Sequence, residues 1–186
     1  MKSRLWLVFD VESVGLHGEG YAVAWVVVDS DGRELEARRE SCPIAEATGS
    51  DSGRAWVRDN CPALPATRAT PAEVRQEFWL AWTRWKAEGA MLAAECGWPV
   101  EARFLAACVD DARPAVRSGK TLADSPRDFA GPFPLHEVAS LRVGAGQNSW
   151  NKPQRLPNEL PEHDPLADAR MSARLLVLAL RNRTAT

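Results

Sequence analysis

Long hydrophobic runs are missing from this chain of 186 residues, and so is any excess of basic charge. The N-terminal apolar stretch from Leu5 to Phe9 is short and ends in an acid, unlike an export signal or a membrane span. No membrane association is therefore expected, and the cytoplasm is the expected compartment. Lys and Arg number 23 against 25 Asp and Glu, a formal net charge of -2. That balance excludes a protein that coats nucleic acid through bulk positive charge, since such binding replaces many counterions. Any nucleic-acid contact has to be local, with bound divalent cations supplying charge that a residue count misses. Cysteine is scarce as well: the four, at positions 42, 61, 96 and 108, form no Cys-x-x-Cys pair and have no close histidine partner in the sequence. They read as free thiols, and no zinc site is expected from their spacing. There is no internal repeat.

What is present suits one domain over residues 1–186, because 45% hydrophobic and 26% charged residues are ordinary for a folded soluble unit. Leu5 to Val11 is a near-continuous run of β-formers, as in a central strand buried on both faces. Tyr21 to Val28 is a second such run. Asp31-Gly32 supplies turn chemistry, and the more polar Arg33 to Cys42 completes a hairpin with an outer strand. Residues 43–70 read as an irregular connection carrying one short helix around Trp56 to Asn60.

Thr70-Pro71-Ala72-Glu73 combines a capping box with a proline in the first helical turn, and Val74, Phe78, Trp82 and Trp85 place one apolar face on the helix it opens. Ala90 to Cys96 is a short strand, followed by Val100, Phe104, Leu105 and Cys108 at helical spacing. Leu135 to Leu141 is expected as a fifth strand and residues 142–162 as a long loop. Asp164-Pro165 caps and opens a last helix. Together these elements predict an α/β fold, a mixed central sheet of about five strands flanked by helices.

Asp10 and Glu12 lie two apart on the first strand, so both carboxylates leave the same face. An acid on a buried strand is costly unless it is paired or holds a metal. Taken alone, Asp10 also reads as the end of a strand. Asp168 falls in the first turn of the last helix, in phase with the apolar Leu175 and Ala179, so its side chain should point at the sheet. Alone it reads equally as an acid that complements the helix dipole. His163, just before the N-cap, is either a solvated surface residue or an imidazole placed near the acids.

The combination resembles the DEDDh exonucleases, the RNase H-like group that includes RNase T, oligoribonuclease and the proofreading subunit of bacterial DNA polymerase III. Phe9-Asp10-Val11-Glu12-Ser13-Val14-Gly15-Leu16 matches the first motif, and His163-Asp164-Pro165-Leu166-Ala167-Asp168-Ala169-Arg170 matches the third. Ala55 to Arg58, Pro62 to Pro65 and Ala167 to Arg170 resemble a small bacterial and phage 3′-to-5′ exoribonuclease branch. The second motif departs from the pattern, because no aspartate opens the helix after the fourth strand. Glu101 in Glu101-Ala102-Arg103-Phe104-Leu105 is the substitute, with Glu95 at the strand end as the alternative.

The resemblance implies an RNase H-like fold and hydrolysis of terminal phosphodiesters, with two Mg²⁺ or Mn²⁺ ions held by Asp10, Glu12, Glu101 and Asp168 and with His163 as general base. It also implies that Ser13, Gly15 and Leu16 meet the terminal nucleotide, although Leu16 reads equally as core. Most of the eight tryptophans fall on apolar stripes. Trp150, with Lys152 and Arg155 in the polar loop, is a candidate lid over a single strand or a plain surface aromatic. The implied partners are 3′ ends of single-stranded RNA or DNA, with a homodimer by analogy. An exoribonuclease, a DNA proofreading or trimming enzyme, and an end-binding module that has lost catalysis all remain open at this point.

Overall fold

The computed structural model describes residues 4–113, 124–149, 151 and 153–184. Its centre is a five-stranded sheet: β1 (Leu5–Ser13), β2 (Gly20–Asp29), β3 (Glu34–Ser41), β4 (Met91–Ala94) and β5 (Leu135–Glu137), in the spatial order β3-β2-β1-β4-β5. β1 pairs antiparallel with β2, and β2 with β3, whereas β4 and β5 run parallel to β1. Three consecutive hairpin strands followed by helix-linked parallel strands give the mixed sheet that the sequence pattern predicts.

Two layers cover the sheet. On β1 the odd positions Leu7, Phe9 and Val11 face Phe78 and Trp82 of α2 (Pro71–Ala87) and Phe104 of α3 (Val100–Asp110). Phe78 is the hub, its ring centroid 4.9 Å from Phe9 and 5.4 Å from Phe104. The even positions Trp6 and Val8 face Ala169, Leu175 and Leu176 of α5 (Pro165–Thr184). Every residue of β2 is buried, as a strand sandwiched between two helical layers requires.

The expected capping box of α2 forms: Thr70 accepts from the Glu73 backbone, and the Glu73 carboxylate accepts from the Thr70 backbone. Asp164 caps α5 by accepting from the Leu166 N–H at 2.9 Å, and Arg39 of β3 holds its other oxygen.

Three expectations are corrected. The connection after β3 holds a longer helix than Trp56 to Asn60: α1 spans Asp51–Asn60, and the Ser50 hydroxyl accepts from the Gly53 N–H at 3.0 Å. Gly53 is there for closeness, since a Cβ would stand 2.8 Å from the Val14 carbonyl oxygen. The fifth strand stops at Glu137, because β4 offers only Leu92, Ala93 and Ala94 as partners, and the chain turns into α4 (Val138–Gly144). The segment expected as a loop over 142–162 begins inside that helix and contains a 3-10 turn at Pro157–Glu159. There the buried Glu159 is clamped by Arg174 of α5 at 2.5 and 2.8 Å. Among the described residues, no helix is long and apolar enough to cross a membrane.

Candidate active site

Asp10 and Glu12 continue the even series of β1 and so emerge on the α5 face, at the end where that helix begins. There the first turn of α5 delivers Asp168. Carboxylate oxygens of Asp10, Glu12 and Asp168 lie within 4.8 Å of one another. Acids from the first strand and from the last helix thus share one small volume.

Asp168 is held on both oxygens: Oδ1 accepts from Arg155, and Oδ2 accepts from the His163 backbone N–H at 3.2 Å. The second contact fixes His163 in a left-handed conformation, φ 62°, which residues with a Cβ seldom adopt. Its imidazole consequently faces Glu12, with Nδ1 3.9 Å from Oε1. The edge of the same ring meets Trp56 of α1, centroids 5.0 Å apart at 80°.

The electrostatics are those of crowded, desolvated acids. Burial, followed by the charges of Asp168, Glu12 and Glu101, lifts Asp10 well above the usual aspartate range, and Arg155 opposes this. Burial and Asp168 push Glu12 up to about 8. Glu101, in the first turn of α3, is pushed up to about 7 by burial, offset by backbone N–H groups of Glu101 and Val11. That places Glu101 beside the strand residue between Asp10 and Glu12. Glu95 does different work: it pairs with the buried Arg142 at 3.3 Å, and its backbone oxygen accepts from Ala139, tying β4 to α4. A buried set of like charges is unfavourable by itself and suits bound divalent cations.

Beside the acids lies a cleft of about 430 Å³ lined by Val11, Glu12, Ser13, Gly15, Leu16, Trp56 and Val100. Leu16 is 64% exposed and forms its wall, which excludes the core reading. Gly15 takes a positive φ of 74°, and the Ser13 hydroxyl donates to its carbonyl at 2.9 Å, so both residues shape the turn that presents Leu16. Arg155 is turned inward onto Asp168 and the Glu159 carbonyl, which removes it from the expected lid. Trp150 and Lys152 lie outside the described residues.

Sequence reasoning missed Trp56 and Cys61 at this site. Trp56 is nearly half exposed at the cleft, and the Cys61 thiol donates to Glu12 Oε2 at 3.7 Å. The weak signal for Trp56 was an aromatic on a short polar helix. Cys61 carried none.

Sheet order, flanking helices and strand directions define an RNase H-like α/β fold of the kind found in exonucleases. Among solved structures, the chain is similar to a zinc-ion-bound E. coli exonuclease I in complex with single-stranded DNA (10% identity, TM-score 0.64), covering 98% of this chain and 42% of that one. It is also similar to a moderately thermophilic exonuclease I from Methylocaldum szegediense (14% identity, TM-score 0.63), covering 96% and 41%. A product-bound exonuclease I gives 10% identity and a TM-score of 0.60, covering 99% and 44%. This chain therefore spans about two fifths of the length of the exonuclease I structures it matches. No protein-family model and no curated protein matches the sequence.

Proposed function

We propose that the chain is a metal-dependent 3′-to-5′ exonuclease that releases mononucleotides from single-stranded nucleic acid, RNA first, with DNA ends as the second reading. The observation that carries this is the convergence of Asp10, Glu12 and Asp168 within 4.8 Å, next to a histidine and an open apolar cleft. The resemblance to an exoribonuclease branch favours RNA. The likeness in fold to an exonuclease I bound to single-stranded DNA supports the DNA reading.

Asp10, Glu12, Asp168 and Glu101 are the residues that would hold two divalent cations. Those ions would supply charge neutralisation for the phosphodiester and acidify the attacking water. The remaining work belongs to the protein. Leu16, Trp56 and Val100 offer apolar surface to the terminal nucleoside, a stacking mode that tolerates any base. His163, oriented by Asp168 through its backbone and by Trp56 through its ring, accepts a proton at the imidazole. Arg155 pairs with Asp168 and offsets its charge at the edge of the cluster.

Labelled RNA and DNA oligomers with a divalent cation test the proposal: stepwise release of mononucleotides that stops in chelator is expected. Binding of both oligomers with no release from either would leave an end-binding module instead. His163→Ala is expected to slow turnover by about 10² to 10⁴-fold. The Mg²⁺-induced rise in melting temperature should persist in that variant, because a proton acceptor is lost and no carboxylate is. Parent-like rates across neutral pH would remove His163 from the mechanism. Glu101→Ala should cost more activity than Glu95→Ala, whereas Glu95→Ala should cost more stability, since it leaves the buried Arg142 without its carboxylate. The reverse order of activities would give the second-motif role to Glu95.

A further inference from the structure

Within the candidate site a second set of ligand atoms is present, in which Cys61, a residue that hydrolysis does not need, joins Glu12 and His163. Cys61 follows α1 directly and places its sulfur 3.7 Å from Glu12 Oε2, while His163 Nδ1 lies 3.9 Å from Glu12 Oε1. One ligand atom from each of Glu12, Cys61 and His163 lies within 4.8 Å of the other two. We propose that these three residues form a thiophilic metal site, suited to Zn²⁺, which overlaps the carboxylate cluster and switches the nuclease off when occupied. The inhibitory half rests on the nuclease reading above; the metal site does not.

The donor set decides the type of ion. A thiolate, an imidazole and a carboxylate match Zn²⁺, whereas Mg²⁺ and Mn²⁺ prefer oxygen and gain nothing from sulfur. In a tetrahedral zinc site, bonds of about 2.0 to 2.3 Å set ligand atoms about 3.3 to 3.6 Å apart. The observed separations exceed this by a few tenths of an ångström for Cys61–Glu12 and His163–Glu12, and all three atoms lie within 4.8 Å of one another. Three protein ligands leave the fourth position to water, and the imidazole, 39% exposed, provides the way in.

The surroundings fit a bound thiolate. Next to the Cys61 sulfur stands the buried Tyr21 hydroxyl, which among the described residues makes no hydrogen bond of ordinary geometry. Coordination sends the Cys61 proton to solvent and leaves a charged sulfur able to accept from Tyr21, the kind of outer contact that orients a metal ligand. Trp56 already fixes the His163 ring. Occupancy withdraws Glu12 from the hard-cation set and consumes the imidazole lone pair, so two catalytic groups are lost at once.

Cd²⁺ titration of the metal-free full chain provides the direct readout. One equivalent is expected to raise the ultraviolet sulfur-to-cadmium charge-transfer absorption, and Cys61→Ser and Cys61→Ala should abolish it while Cys42, Cys96 and Cys108 remain. His163→Ala should weaken Cd²⁺ binding by at least about tenfold. In parallel, Zn²⁺ is titrated into the nuclease assay at saturating Mg²⁺, with each protein normalised to its own zinc-free rate. The half-inhibitory concentration should rise at least about tenfold in both Cys61 variants. Absorption that survives in both variants, or zinc inhibition equal to the parent's, overturns the proposal. If no nuclease activity is found, the Cd²⁺ titration still decides the metal site, so the two readings fail separately.

Discussion

Asp10→Asn lowers exonuclease turnover by at least about a thousandfold, equivalent to about 4 kcal/mol of transition-state stabilisation, and raises the melting temperature of the metal-free protein. Both effects come from one charge. Asp10 sits among Asp168, Glu12 and Glu101, and burial disfavours its ionised form. On the proposed reading Asp10 is a shared ligand for hard cations, which an amide of the same shape collects poorly. Without cations the same charge works against folding, so its removal is expected to stabilise the metal-free chain, each kcal/mol being worth roughly 2 to 4 °C for a chain of this size. Turnover assays and thermal melts in chelator read the two signs independently. Retained turnover would sink the nuclease proposal, and lost turnover without a raised melting temperature would mean that Asp10 is not the focus of the repulsion.

The second large effect is a pH-dependent stability profile that metal flattens. Glu12 is raised from 4.5 to about 8, and Glu101 from 4.5 to about 7. Between the ordinary glutamate value and these raised ones, the folded chain binds more protons than the unfolded chain. Metal-free stability therefore falls as pH rises through that window. Glu19, Asp29 and Glu159 are shifted the opposite way by hydrogen bonds from Thr48 and Arg75, from the turn backbone, and from Arg174, although burial opposes this in each. Their contribution is lost only as pH drops through the acid range below the usual carboxylate values. In chelator the melting temperature is thus expected to be higher near pH about 5.5 than near pH about 8.5. Because cations bind the deprotonated carboxylates, Mg²⁺ should stabilise most at the alkaline end and flatten the profile. A Mg²⁺ shift that is constant across this range would show that the cluster does not take up the ion.

Local chemistry carried much of the fold into view. The strand pattern of β1 and β2 was legible because both are buried on two faces and therefore read as unbroken apolar runs. α2 and α5 were legible because Thr70-Pro71-Ala72-Glu73 and Asp164-Pro165 are capping signals that act within one turn. β5 was overextended because its length depends on the shortness of β4, a strand more than forty residues earlier, and no local feature of Leu135 to Leu141 records it. α1 was underestimated because its first turn lies in a segment rich in Ser, Gly and charge, and only the fold sets Gly53 against Val14.

The candidate site divides in the same way. By itself the sequence determined that Asp10 and Glu12 share a strand face and that Asp168 lies on the inner face of the last helix, since both follow from the two- and 3.6-residue repeats of the backbone. Only the tertiary structure shows what surrounds each of the two second-motif candidates. The chain offers Glu101 as the substitute and Glu95 as the alternative; in the fold Arg142 pairs with Glu95, and the start of α3 carries Glu101 to the backbone of Val11. The fold also decided that Arg155 turns inward and that Leu16 forms a cleft wall. Cys61 comes to stand beside Glu12 across 49 residues of sequence for the same reason. Backbone periodicity fixes where a side chain points on its own element, whereas packing between elements fixes what it meets.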